Sequence, residues 1–254
     1  MGLAPENLDR LGRNQRNWGL YRIHRPQIQR PCNPDAMMQG AKGNIVRVFP
    51  RRTSATPDDP LAFSGPPPKG GVGEVDEIHI SVAFTYDMEK AERLAEQWSS
   101  TGLLVRLGGP AFNTPGGEFV PGRYLKYGYV ITSRGCPNRC WFCTVPQREG
   151  GVLRELPITE GWNVLDDNLL ACSERHIRAV FAMLARQSEH PSFTGGLEAR
   201  LLRPWHVDLL RQVKTKRMFF AYDTPDDYEP LVEAAVSCGP AGSPRPPTGR
   251  PVMC

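Results

Sequence analysis

Two hydrophobic periods alternate along this chain, one of two residues and one close to 3.6. Ile45, Val46, Val48 and Phe49 open the regular part as a short apolar run, predicted to be a strand. The stretch from Pro50 to Gly73 is rich in Pro and Gly and is predicted to be irregular. Ile78, Ile80, Val82 and Phe84 then alternate with His79, Ser81 and Ala83, the signature of a strand with one dry face. Asp87 stands where a helix N-cap belongs. Ala91, Leu94, Ala95 and Trp98 follow at the spacing of one helix face, and Leu103 to Leu107 is the next strand. Residues 78–107 therefore read as a βαβ unit with a parallel strand pair.

The alternation resumes at Tyr127–Ser133, predicted to be a strand that runs straight into a cysteine-bearing loop. Trp162 to Leu165 is a second strand, ending in Asp166, Asp167 and Asn168. Ser173 then caps a helix whose apolar face is Ile177, Val180, Phe181 and Leu184. Ser192 to Gly195 is a third strand, followed by Gly196, Leu197 and Glu198. Pro204 opens the next helix at its first turn, with Trp205, Leu209, Leu210 and Val213 apolar. Arg217 to Tyr222 is a fourth strand. Thr224 and the acids Asp226 and Asp227 start a last helix, where a capping hydroxyl and negative charge suit the N-terminus. Strands alternating with helices argue an α/β fold with parallel sheets.

Composition sharpens this picture. With 254 residues, 40% hydrophobic and 23% charged, the chain can build a real core. No apolar stretch approaches the roughly 20 residues of a membrane span, and the first 30 residues lack a signal-peptide apolar region, so a cytoplasmic protein is expected. The net charge of +4 is uneven. Residues 1–52 hold ten Lys or Arg against three Asp or Glu, or +7, which leaves the rest at −3. Arg10, Arg13, Arg16, Arg22, Arg25 and Arg30 lie among Asn, Gln, Gly and Pro, so residues 1–43 read as a basic, loosely ordered leader. Phosphate or RNA contact is its sharper reading. Gly239 to Cys254 is Pro- and Gly-rich and is expected to be disordered.

The chemistry is concentrated in Cys136, Cys140 and Cys143, which share one short loop. Seven cysteines (Cys32, Cys136, Cys140, Cys143, Cys172, Cys238 and Cys254) are an odd number with no secretory leader, so clustered thiols point to metal or catalysis rather than disulfides. Three thiolates suit an iron–sulfur cluster with one iron left open, whereas a closed electron-transfer cluster takes four. A tetrahedral zinc site is the alternative, with Cys172, His176 or Cys32 as fourth ligand. Cys172, at a helix start, also reads simply as a small buried residue.

Ser133-Arg134-Gly135-Cys136-Pro137-Asn138-Arg139-Cys140-Trp141-Phe142-Cys143 resembles the signature of the radical S-adenosylmethionine (radical SAM) superfamily. The resemblance implies a [4Fe-4S] cluster on Cys136, Cys140 and Cys143. Its open iron chelates the amino and carboxylate groups of S-adenosylmethionine, and an electron from the cluster cleaves the sulfonium to a 5′-deoxyadenosyl radical. Phe142 maps to the residue that packs near adenine, and Trp141 is expected to face protein. The family fold implies an incomplete radical SAM (β/α) partial barrel over residues 123–236, behind a Rossmann-like α/β region over 44–122. Strand-end polar residues Asp166, Asp167, Asn168, Glu198, Arg200, Tyr222 and Asp223 are the candidates for S-adenosylmethionine or substrate contact. A flavodoxin- or ferredoxin-like reductant is implied as partner.

The departures are informative. The family's Gly-Gly-Glu element follows its second strand, whereas Gly195-Gly196-Leu197-Glu198 follows the third, leaving the amine contact unassigned. Four barrel strands are visible where the family core commonly has six, so the chain reads as a truncated relative or one whose frame was lost near Ala235. Leu107-Gly108-Gly109-Pro110-Ala111 resembles a strand end of the Rossmann-like cobalamin-binding domain that precedes many such barrels. Its Asp-x-His-x-x-Gly motif is absent, His79 lies within a strand, and cobalamin is not expected. Gly108-Gly109 also reads as a plain tight turn. The cluster motif and Val145-Pro146-Gln147-Arg148-Glu149-Gly150 look most like the methylthiotransferase branch, which modifies transfer RNA or a ribosomal protein. That branch carries a second three-cysteine cluster, but the corresponding region here has Cys32 alone, so sulfur insertion is not expected. The other class of function is a non-catalytic metal- or cluster-binding module whose basic arm contacts RNA.

Overall fold

The computed structural model describes residues 44–239 and the two-residue strand β1 (Ile28–Gln29). The chain is an α/β protein with two parallel sheets. In the first, β2 (Ile45–Phe49), β3 (Ala62–Ser64), β4 (Glu77–Ser81) and β5 (Leu104–Gly108) join β1 in the order β1-β5-β4-β2-β3, every pair parallel. Ile28–Gln29 belongs to the segment expected to be a loose leader, and its pairing with Val105 and Arg106 corrects that expectation for these two residues. Residues 1–27 and 30–43, with Cys32 and the leader arginines, lie outside the described residues, as do 240–254. Among the described residues no helix is long and apolar enough to cross a membrane.

Helix α1 (Met88–Ser99) lays Ala91, Leu94, Ala95 and Trp98 on Ile78, Ile80, Val82, Val105 and Leu107. Each Val, Leu or Ile side chain so removed from water stabilises the fold by about 1.5–3 kcal/mol. Trp98 also donates its indole N–H to the Gly65 carbonyl at 2.9 Å, satisfying its one polar atom. Asp87 occupies the N-cap position, but its carboxylate takes Nε of Arg51 at 2.8 Å and makes no cap bond.

The predicted alternation of β4 fails in one respect. Ile78, His79 and Ile80 are all fully buried, because a central parallel strand is covered on both faces. His79 stands in register between Arg47 and Arg106, so three polar side chains cross the sheet in one row. The segment between the two sheets covers that row. Tyr124 Oη lies 2.5 Å from His79 Nδ1, Glu77 lies 3.0 Å from Nε2, Arg106 donates to Glu77 at 2.5 Å, and Arg47 pairs with Asp59. Burial pushes the Tyr124 hydroxyl up to about 12, so it stays protonated beside the imidazole.

The second sheet runs β6 (Tyr129–Val130), β9 (Asn163–Val164), β10 (Ser192–Leu197) and β11 (Arg217–Phe220), parallel and in chain order. Helices α3 (Glu174–Leu184) and α4 (Pro204–Gln212) connect successive strands, and α5 (Tyr228–Cys238) follows the last. Ser173 Oγ accepts the His176 N–H at 3.2 Å, and Ile177, Val180, Phe181 and Leu184 are buried, as their spacing predicts. Thr224 and Asp227 form a reciprocal capping box before α5. The expected strand Tyr127–Ser133 is divided. Its end, β7 (Ser133–Arg134), pairs antiparallel with β8 (Arg154–Glu155) in a separate two-stranded sheet. Ala62–Ser64 is a strand inside the run expected to be irregular, held by its edge pairing to β2.

Candidate metal and ligand site

The β7–β8 pair clamps the base of the cysteine loop. Gly135 starts the loop at φ +86°, and a Cβ there would lie 2.0 Å from the Val152 carbonyl oxygen, so only glycine fits. Its N–H donates to Asp167 at 2.8 Å. Beyond the loop, α2 (Val145–Glu149) returns the chain to β8. Arg148 at its end bridges Glu149 at 2.9 Å and Asp167 at 2.8 Å, while Arg154 reaches Glu149 at 2.6 Å. The Glu149 side chain is fully buried and also accepts the Gly116 N–H at 3.1 Å. Buried charge of this kind is tolerated when paired and hydrogen-bonded, and here it fixes both ends of the loop.

Below the loop, Asp166 is buried and accepts three bonds, from Thr132 N and Oγ1 at 2.6 Å each and from Ser133 Oγ at 2.8 Å. Burial pushes its carboxyl up against those donors. The interruption of the strand at Thr132 has this cause: its backbone N–H turns to the carboxylate.

Cys136, Cys140 and Cys143 are free and half-buried. Burial raises the Cys140 thiol, and the neighbouring Cys143 and Cys136 raise it further, with Asp223 and Glu198 contributing. Asn168 donates its amide N–H to Cys136 Sγ at 3.3 Å, and its Oδ1 is buried with no partner. Glu198 accepts from Asn138 Nδ2 at 2.6 Å, tying the loop to the end of β10. Among the described residues, no three His, Cys, Asp or Glu side chains stand close enough to hold a metal ion. The donor set nonetheless suits a thiophilic centre, since three free thiols share one loop and sense one another electrostatically. Closing them on a metal requires turning the side chains together and losing their protons.

The remaining expected residues divide between two places. Asp167 is engaged at both oxygens, by Gly135 and Arg148, under the loop. Asn168, Glu198 and Asp223 gather around the thiols. Arg200 is held away by Asp227 at 2.6 Å and Thr224 at 3.4 Å. Tyr222 is exposed, edge-on to Tyr228 at 6.4 Å. Phe142 is 42% exposed beside the cysteines, and Trp141, expected to face protein, is 90% exposed with its ring edge-on to Phe142. An indole that follows Cys140 on a short exposed loop has no core within reach. Cys172 is buried in the second core, and burial pushes its thiol to about 12. Sequence reasoning assigned no role to Asn138, Arg148 or Glu149; the signal available was the density of polar residues on both sides of the third cysteine.

No protein-family model, no curated protein and no solved structure matches this chain.

Proposed function

We propose that this chain is a radical SAM enzyme, with a [4Fe-4S] cluster on Cys136, Cys140 and Cys143. The observation that carries the reading is the position of the cysteine loop, after the first strand of a parallel sheet whose four strands stand in chain order. That order is the one a partial (β/α) barrel requires, and barrel sites lie at the carboxyl ends of the strands. The first sheet, in the order β3-β2-β4-β5-β1, reverses its strand order between β2 and β4, which is compatible with a Rossmann-like unit. When bound, the cluster supplies the single electron that cleaves the sulfonium of S-adenosylmethionine.

The chain's own residues prepare that step. The Asn168 N–H at the Cys136 sulfur stabilises charge on the ligand. The buried Asn168 Oδ1, which has no partner, is the acceptor we assign to the amino group of S-adenosylmethionine, reached once the side chain turns toward the thiols. Glu198 positions the loop through Asn138, Asp167 holds its base, and the exposed Phe142 ring would pack against the adenine. Arg200, committed to Asp227, positions the start of α5. A flavodoxin- or ferredoxin-like protein supplies the electron.

Anaerobic reconstitution followed by iron and sulfide analysis, with an assay for 5′-deoxyadenosine under dithionite, tests the reading. About four irons per chain and nucleoside product are expected, with both lost in Cys140→Ala. Bound zinc with no nucleoside overturns it in favour of a non-catalytic metal module.

A further inference from the structure

A cavity of about 440 Å³ lies between the two sheets. Protein interiors leave few voids larger than a water molecule, and mostly apolar clefts of roughly 300–1,000 Å³ are the size of small-molecule sites. One wall is the carboxyl edge of the first sheet, with Phe49 at the end of β2, Phe84 after β4 and Gly109 after β5. Strand order reverses between β2 and β4, and ligands of open parallel sheets settle at such a reversal. The other wall is Ile131, Leu165 and Asp167 of the second sheet, with Phe119 from the connecting segment. Asp167 holds the amide of Gly135, so this wall stands one residue from Cys136.

Charge on the lining is mostly spoken for. Arg51 pairs with Asp87, and Arg148 pairs with Asp167. Arg123 and Arg134 make no ion pair among the described residues, against the single acid Glu118. Arg134 is the better anchor. Its Nε donates to the Gly117 carbonyl at 3.2 Å, and its guanidinium rests on Gly116 so closely that a Cβ there would come within 2.2 Å. The backbone thus fixes the head group and leaves its two terminal nitrogens without a hydrogen-bond partner. The carboxylates that could neutralise it, Glu149 and Asp167, are already taken by Arg148 and Arg154. Burial lowers the Arg134 pKa against the pull of those two acids, as expected for a partly desolvated cation.

We propose that this cavity binds a small molecule with a flat apolar body and one anionic group, the body lying among Phe49, Phe84 and Phe119 and the anion on Arg134. Aromatic walls favour a planar body, and a guanidinium fork favours carboxylate, sulfonate or phosphate. The further assignment of this ligand as the substrate, held beside the cysteine loop, rests on the radical SAM reading. The binding itself does not.

The test uses two fluorescent probes with one skeleton, 1-anilinonaphthalene-8-sulfonate and the uncharged N-phenyl-1-naphthylamine, titrated into the full chain. Arg134→Gln is expected to weaken the sulfonate at least tenfold while leaving the neutral probe within twofold. Ala83→Trp, at an exposed rim position, is expected to weaken both and does not depend on Arg134 for folding. The surface change Arg186→Gln is expected to alter neither. Equal weakening of both probes by Arg134→Gln, or unchanged binding in Ala83→Trp, overturns the proposal. Cys140→Ala separates the two readings: both probes are expected to bind it as they bind the wild type, so a failed iron analysis removes the substrate role and leaves the cavity's ligand standing. Loss of both probes in that variant overturns the cavity as an independent site.

Discussion

In the first sheet, Arg47, His79 and Arg106 lie side by side across three buried strands, and each reaches an acid or a phenol nearby. In the second, polar side chains collect beyond the strand ends and leave atoms unspent: Asn168 Oδ1 has no partner, and three thiols are free. Both regions are built on parallel sheets and both bury polar groups. What separates them is the destination of hydrogen bonds. Inside the first sheet they run mostly among the row and its covering residues and hold the fold, with Arg47 Nε and His79 Nε2 left without a hydrogen bond. At the mouth of the second, a structural layer around Asp166 and Glu149 is closed in the same way, and the layer above it holds the free thiols and the unpartnered Asn168 Oδ1.

The largest way to break this contrast is Asp166→Ala, which orphans three buried donors at once. At about 1–3 kcal/mol each, partly relieved by relaxation, the loss is expected to be roughly 3–5 kcal/mol in denaturant unfolding. A loss below about 1 kcal/mol would mean that Thr132 and Ser133 find other partners and that the lower layer is not structural.

His79→Gln addresses the first sheet. Burial, only partly opposed by Glu77, lowers the imidazole pKa below its ordinary value near 6.5. The unfolded chain then binds a proton that the folded chain refuses, so stability is full above that ordinary value and falls as pH drops toward the lowered one. The slope is at most about 1.4 kcal/mol per pH unit. In the variant this component of the fall between pH 7 and pH 5 should vanish; identical slopes for the two proteins would assign the pH dependence elsewhere.

Asn168→Leu is expected to have the smallest effect on stability, within about 1 kcal/mol, because it removes an unsatisfied acceptor along with a weak donor. If the thiols hold a cluster, losing the N–H at the Cys136 sulfur lowers its midpoint potential. A redox titration followed by paramagnetic resonance reads that shift directly, and an unchanged potential would reduce Asn168 to a packing residue.

Local signals were legible and long-range ones were not. The stripe Ala91, Leu94, Ala95 and Trp98 is a property of one helix, and the caps Ser173 and Thr224 act within three residues. Asp87 has the same sequence appearance as those caps, yet its carboxylate is claimed by Arg51, distant in the chain. His79 reads as half of an alternation until a second covering layer makes both faces dry. Ala62–Ser64 carries no period and exists because β2 offers an edge. The three cysteines declared the site unaided. The contacts that arrange them, Asn168 with Cys136 and Glu198 with Asn138, join residues 30 or more positions apart and had no local signature.

Trp141 ends up in water, at the tip of the loop that bears the thiols, whereas Trp98 is sealed within the first core. An indole so placed emits at long wavelength and loses intensity when a strongly absorbing chromophore forms nearby. If the thiols hold a cluster, the molecule therefore carries its own optical gauge of occupancy, readable without a label as the difference between the chain and Trp141→Phe, which keeps the other four tryptophans.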